Sequence, residues 1–408
     1  MKLLMVTRGS QGDVYPYLAL ATALSQNHEV TISLPRAFAY IVKGFDLNYV
    51  LQAEDDIPGM LQTEKNIREL LEWTGRVIHD QFKELIPLLS RNDILISSNT
   101  EFAAPSIAEY CGKPCIRTAF APLLPGKRIP PPVIPPNPFP PALQWRGLNI
   151  GLNLMVKKIL NSHRKELGMS PITDQGEYAP SNADNFMMYS RYLGEVDPDW
   201  KYSWDIGGYC FNDILNYDEI ACRKLLDFIE KDQRPTLFFS LGSCASKRGD
   251  DLCVWLCNIC QKLNCKLIIG SGWSKLGSFL QDKEHIFLLT SAVPHYLIFP
   301  ACAAIIHHGG SGTTHSAGRA GKPQMVVPLL LDQHYWGSRV FKLGAGTDYV
   351  RVSSISQKKL EEKVVDLMTN PSYKKGASEL GEKIRGEDGI QAFCDYINRR
   401  TSIRKANF

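Results

Sequence analysis

The chain lacks any uninterrupted apolar run of the roughly 18 residues that a membrane-spanning helix needs, so no transmembrane segment is expected. It also lacks an excess of one charge. Forty-six Lys and Arg against forty-two Asp and Glu leave a net charge of +4, and no basic stripe is interleaved with aromatics. Nucleic acid is therefore not an expected partner. Disulfide-module spacing is missing: the eleven cysteines are odd in number and scattered. The opening MKLLMVTRGS enters a strand and a glycine turn without the apolar stretch and cleavage site of an export signal. Reduced thiols in a cytoplasm are the resulting expectation. Tandem repeats are absent too, which excludes a solenoid.

What is present is alternation. Lys2–Thr7 reads as a buried strand and Pro16–Leu24 as the helix after it. Val30–Leu34, Ile94–Ser97 and Cys115–Ala119 follow as strands, with amphipathic stretches between them, the longest from Thr63 to Leu89. A second series holds Thr236–Ser240, Lys266–Ile269, Ile286–Leu289, Ala303–Ile306 and Met325–Val327. Such βαβ alternation predicts α/β domains with doubly wound parallel sheets. The turn-rich stretch Gly207–Tyr217 marks the boundary between two domains of similar size. Prolines crowd Pro122–Pro141 and predict an extended surface loop outside the core: a rigid connector, a site for a proline-reading partner, or a pocket wall. A helical pattern resumes over Trp145–Leu167. The basic end (Arg399, Arg400, Arg404, Lys405) predicts a solvated terminus.

The most specific stretch is HHGGSGTTHSAGRAGKPQMVVPLLLDQ, from His307 to Gln333. An apolar strand leads into glycines and hydroxyls that open a helix, and an Asp-Gln pair follows the next strand. Glycines let backbone approach an anion closely, and the first N–H groups of a helix carry partial positive charge. That order suits a pyrophosphate on a helix N-terminus with a sugar beyond it. In the first βα turn, TRGSQGDVYP, Asp13 lands at the start of the next helix, at the sheet edge where ligands bind. It reads equally as a helix cap, stabilising by about 1 kcal/mol, and as a general base facing a cleft.

Other patterns have plain structural readings. Cys253, Cys257 and Cys260 form C-x3-C-x2-C, a spacing found around iron–sulfur clusters, yet they also share one face of an apolar helix. Asp197 and Asp199, with proline between them, read as a turn rather than a metal pair. His307 points to the opposite side of the strand from His308. His315 could complete a histidine trio, but no carboxylate or cysteine stands at metal-ligand spacing, so no metal is expected. Trp273, in GSGW after a strand, suits either stacking on a base or packing across a domain surface.

Together GSQGDVYPYLAL, SHRKELGMSPI and the HHGGSGTT…AGKPQMVVP…DQHYWGSRV block resemble the GT-B nucleotide-sugar glycosyltransferases, above all sterol glucosyltransferases and glycopeptide-antibiotic glycosyltransferases. The resemblance implies two facing Rossmann-like domains with a cleft between them: residues 1–212 for the acceptor and 213–385 for the donor. Residues 386–408 would then cross back to the first domain as the end of a C-terminal helix that starts at about Tyr373 and runs to about Arg399. It implies inverting, metal-independent transfer of a hexose, glucose from UDP-glucose, to a hydroxyl of a small apolar acceptor. It also implies Asp13 as catalytic base. Ser10 and Gly12 would line the reaction centre. His308, Gly310, Ser311, Gly312 and Thr313 would hold the diphosphate with Ser243 beside it, Asp332 and Gln333 would grip the sugar, and Trp273 and Val293 would border the base. No cofactor is implied beyond the donor, and peripheral membrane contact is compatible with such an acceptor. The chain departs from the family at Gln11 and at Tyr296-Leu297-Ile298. A UDP-sugar 2-epimerase or a non-catalytic nucleotide-sugar-binding protein would share the fold.

Overall fold

Continuous apolar runs become strands buried on both faces, as LLMV (Leu3–Val6) and AII (Ala304–Ile306) show. The structure, a computed structural model, describes residues 1–53, 67–213 and 217–406. Its first sheet holds β1 (Lys2–Val6), β2 (Glu29–Pro35), β3 (Asn48–Gln52), β4 (Ile94–Ser98), β5 (Cys115–Ala119), β6 (Asp184–Met187) and β7 (Trp204–Ile206). The second holds β8 (Thr236–Ser240), β9 (Lys266–Gly270), β10 (Ile286–Leu289), β11 (Ala304–His307) and β12 (Gln324–Val326). The orders are β3-β2-β1-β4-β5-β6-β7 and β10-β9-β8-β11-β12, and every pairing within them is parallel. Leu3 lies between Val30 and Ile94, and Ile305 stands opposite both Phe238 and Gln324. Strand order reverses between β1 and β4 and between β8 and β11. Open α/β sheets bind ligands at the carboxyl edge of such switch points.

Several expectations need correction. The first helix runs Gln11–Leu24, starting five residues earlier than Pro16, because Ser10 caps it. Strands β3, β6 and β7 have no counterpart in the sequence pattern; they are short and partly polar, and β3 and β7 are sheet edges. The long amphipathic helix spans Ile67–Leu89, while Thr63–Asn66 lie outside the described residues, as do 214–216 at the expected boundary. The Pro-rich loop is packed along its first half: Leu124 and Ile129 are buried, their carbonyls accepting from the Trp200 and Trp145 indoles at 3.0 and 2.8 Å. The expected helix Tyr373–Arg399 is two, Pro371–Arg385 and Gly389–Ala406. Phe393 and Tyr396 of the second meet Phe186 of β6 at ring distances of 4.8 and 5.0 Å. The basic end is not free: Arg399 and Arg400 pair with Asp205 and Asp184 at 3.3 and 2.8 Å. The side chains of Arg404 and Lys405 lie outside the described residues.

The two halves share a core. Tyr189, Leu193 and Ile206 of the first pack with Tyr335, Trp336, Val340 and Leu380 of the second. Burial of that kind couples domains far more firmly than a polar interface does.

Candidate active site

Both switch points place their loops at the junction between the halves. After β1, Gly9 adopts φ +135°, and a Cβ there would fall inside the Asp13 carboxylate, so glycine alone lets the carboxylate fold against the turn. Asp13 Oδ2 accepts from the Ser10 backbone N–H at 2.7 Å and from the Ser10 hydroxyl at 3.1 Å. That is a capping box. Oδ1 has no hydrogen-bond partner among the described residues, so capping leaves one oxygen for chemistry. Loss of water raises the Asp13 pKa to about 6, the Ser10 hydrogen bonds oppose the rise, and the negative charge of Asp332 adds to it. A group poised there accepts protons near neutrality.

On the other side, β11 delivers His307 and His308. Gly309 N–H donates to His307 Nδ1 at 3.1 Å, which makes Nε2–H the donor to Gln324 Oε1 at 2.9 Å; His307 is structural. His308 is walled by glycines: a Cβ on Gly242 would lie 2.6 Å from Cε1, and one on Gly310 would collide with Nε2. Its Nδ1 is buried without a partner among the described residues. Burial, helped by His295, lowers its pKa to about 4, so the ring is neutral at pH 7 and holds one N–H. Gly310 offers no side-chain cap to the helix Ser311–Arg319, and backbone bonding resumes with Thr314 N–H to Gly310 O at 3.0 Å. The N–H groups of Ser311, Gly312 and Thr313 are therefore left for an anion. Thr313 and Ser243 are half-buried.

The two helix N-termini meet. A Cβ on Gly312 would lie 3.9 Å from Gly12 Cα and 2.7 Å from the Tyr209 hydroxyl. Asp332 belongs to the same locus: its pKa also rises to about 6 through burial, while the Trp336 indole N–H, donating to Oδ2 at 2.8 Å, opposes the rise.

Four residues expected at the donor have other partners. The Ser311 hydroxyl donates across the junction to Phe120 O at 3.0 Å. Gln333 Oε1 accepts from the N–H groups of Leu329 and Leu330 at 2.7 and 3.1 Å, and Nε2 donates to Cys244 Sγ at 3.4 Å; it shapes the loop before Asp332 rather than pointing at a sugar. Trp273 packs on Phe38 of the first half at a ring distance of 5.7 Å, and Val293 packs against the Phe238–Phe299 cluster. Asp197 accepts from the N–H groups of Lys127, Arg128 and Asp199 at 2.9–3.0 Å, holding the Pro-rich loop. Cys253, Cys257 and Cys260 are buried on the helix Gly249–Lys262.

His315, offered by the sequence only as a third histidine, and residues outside the motifs complete the junction. His315 Nε2 accepts from Ser190 N–H of the first half at 3.1 Å, while its Nδ1–H donates to Ser311 O at 2.7 Å. Its ring stacks on Tyr209 at 4.7 Å and meets the edge of Trp336 at 4.9 Å. Under the Asp13 turn, buried Arg8 faces buried Glu101 at 3.6 Å. None of these pairings has a local sequence signal. Two grooves of about 620 and 560 Å³ open at the opposite ends of the same two helices, beside Thr22 and Arg319.

Several known proteins resemble this chain in sequence or in fold. Residues 285–388 match the family described as Erythromycin biosynthesis protein CIII-like, C-terminal domain. The sterol 3-beta-glucosyltransferase UGT80A2 of Arabidopsis thaliana is 26% identical over 431 residues, covering 100% of this chain and 67% of its own. That of Komagataella phaffii is 26% identical, covering 96% of this chain and 34% of its own. An uncharacterized glycosyltransferase of Mycobacterium leprae is 26% identical and covers 100% of this chain and 98% of its own. Among solved structures, the glycotransferase of kitacinnamycin superposes with a TM-score of 0.74 at 17% identity, over 98% of both chains. Glycosyltransferase VinC in complex with dTDP superposes with 0.69 at 18%, over 98% and 99%. Sequence and architecture converge: the chain has the GT-B fold and is similar to sterol 3-beta-glucosyltransferases and to the glycotransferase of kitacinnamycin.

Proposed function

We propose that the protein is an inverting, metal-independent glycosyltransferase acting in the cytoplasm. It moves a hexose, glucose from UDP-glucose, to a hydroxyl of a small apolar acceptor such as a sterol, a lipid or a polycyclic natural product. One observation carries the reading: a carboxylate poised near pH 6 with a free oxygen sits opposite a helix N-terminus whose N–H groups await an anion. The donor assignment follows the sequence relatives, one of which is named a UDP-sugar-dependent glycosyltransferase in Dictyostelium discoideum. Eleven free cysteines suit a reducing compartment.

In this mechanism Asp13 Oδ1 takes the acceptor proton as the acceptor oxygen bonds to the anomeric carbon. The bond from that carbon to the β-phosphate oxygen breaks, and UDP leaves with the electron pair. The first-turn N–H groups, the Thr313 and Ser243 hydroxyls and the His308 N–H stabilise the charge that develops. Gly310 and Gly12 keep backbone close on either side. Asp332 accepts from the sugar hydroxyls.

The test is UDP release with cholesterol or a phenolic acceptor, read alongside a thermal-shift panel of UDP and dTDP sugars. Donor at 100 times its Kd should add about 2.7 kcal/mol of stability. Stabilisation by dTDP sugars alone would replace the donor assignment, and UDP-glucose binding without transfer to any hydroxyl would end the enzymatic one.

A further inference from the structure

We propose that the face formed by Phe139 and the helical stretch Pro141–Lys158 docks on an anionic lipid bilayer. Four large apolar side chains stand in water there: Phe139, Leu143, Ile150 and Leu154 are 60, 51, 62 and 80% exposed. Leu143, Ile150 and Leu154 recur at seven and four residues, so they form one stripe along the helix. Gly147 and Gly151 continue it, and a Cβ built on either meets nothing within 4 Å, so no described residue covers this face there. The stretch is helical Pro141–Leu152, then one π-helical segment Asn153–Lys157, where a wider turn keeps Leu154 on the same side.

Phe139 is held outward rather than left loose. Gln144 Nε2 donates to Phe139 O at 2.7 Å, and Gln144 Oε1 accepts from Asn137 Nδ2 at 3.1 Å. Beneath the stripe, Trp145 anchors the helix through its bond to Ile129 O.

Charge identifies the occupant. The stretch Pro141–Lys158 itself carries Arg146, Lys157 and Lys158, and no Asp or Glu occurs from Tyr110 to Lys165. Arg146 and Lys158 are exposed on the stripe and at its flank. An apolar ridge with cations beside it matches the acyl boundary and headgroups of a bilayer rich in anionic lipid. A second copy of the chain fits poorly, since a two-fold contact would set these cations against their own images. No helix among the described residues is long and apolar enough to cross the membrane, so the contact is peripheral. The inference stands on exposure and charge and does not depend on the acceptor.

The experiment is vesicle sedimentation of the full chain with phosphatidylcholine alone and with added phosphatidylglycerol. Cosedimentation should require the anionic lipid and weaken with salt. Combined Leu143→Gln, Ile150→Gln and Leu154→Gln should weaken it by more than about tenfold. Arg146→Glu with Lys158→Glu should do the same by about tenfold or more, with melting temperature and donor-induced thermal shift unchanged in both. Wild-type protein that stays in the supernatant with both vesicles overturns the proposal. So does a lipid-independent dimer that the apolar substitutions dissolve.

Discussion

Asp13 shows how one side chain serves two ends at once. Its Oδ2 closes the capping box on Ser10, which leaves Oδ1 without a hydrogen-bond partner among the described residues. Desolvation that lifts its pKa from 3.8 to about 6 makes the charged form a cost to the fold. The folded state then binds more protons than the unfolded one between those values, so this group's contribution to stability falls as pH rises through the window. Asp13→Asn keeps an accepting oxygen for Ser10 without the charge. It should melt higher than wild type at pH 8, by about 1 kcal/mol once partial solvent access is allowed for, and the gap should close below pH 4. Transfer should fall by about 10² to 10⁴, while UDP still binds. Melts at three pH values beside a turnover assay check both halves. For the wild type, transfer should rise with pH through about 6, as the base loses its proton.

Gly242 makes a second residue-scale case. Its φ of +61° suits glycine, and the space a methyl would need belongs to His308 Cε1. Gly242→Ala should swing the His308 ring away from the anion site. Losing that one donor should cost about 2.7–4 kcal/mol in the transition state, with kcat falling and the far-UV spectrum retained. A variant with wild-type kcat would show that His308 plays no part in leaving-group stabilisation.

At the scale of elements, the helix that opens at Ser311 is tied to the opposite half twice, by Ser311 Oγ to Phe120 O and by Ser190 N–H to His315 Nε2. The latch holds the anion-binding end at a set distance from Asp13. Ser311→Ala should cost about 0.5–1.5 kcal/mol. His315→Ala should cost about 3 kcal/mol, since it strips partners from two buried backbone groups and opens a void beside Tyr209 and Trp336. Urea midpoints measure both. The His315 pKa is lowered to about 4 by burial, so the folded state binds fewer protons than the unfolded one between there and 6.5. Its contribution is intact above 6.5 and is lost as pH falls through that window.

This scale also separates what the sequence makes legible from what it hides. Strands such as TLFFS and CIRTA announce themselves because both faces are buried and the apolar run is nearly unbroken. NYVLQ, DNFM and WDI do not, because edge or half-buried strands mix polar residues into runs too short to show a period. The anion cradle is legible for a similar reason: glycines, hydroxyls and a helix start lie within one contiguous segment. Ser311 and Gln333 sit in that segment too, yet their partners are Phe120 and the Leu329–Leu330 loop, fixed only when the chain folds. Trp273 meets Phe38 for the same reason, through a contact 235 positions away in sequence that no local pattern encodes.

For the whole molecule, the chain's path decides whether the halves can stand alone. We propose the division 1–212, 213–385 and 386–408, in which the last segment serves the first domain although it follows the second. Phe393 and Ile397 are fully buried against the first half, with Tyr396 nearly so, and Phe186 meets two of these rings, one edge-on and one tilted. Removing residues 386–408 uncovers that surface. Losing three large buried side chains at about 1.5–3 kcal/mol each approaches the 5–15 kcal/mol that holds a typical domain together. A chain ending at Arg385 should therefore lose its first domain while the second keeps a cooperative transition, because the inner sheet β8–β12 has its own core around Leu237, Phe239 and Ile306. Calorimetry should resolve the two: one shared transition in the full chain, held together by Trp336 and Tyr189, and a single smaller one after truncation. Adding the 386–408 segment back as a peptide should restore the missing heat absorption. If the shortened chain instead melts as the full one does, the crossing helix is an ornament on the surface and the first domain ends where its sheet does.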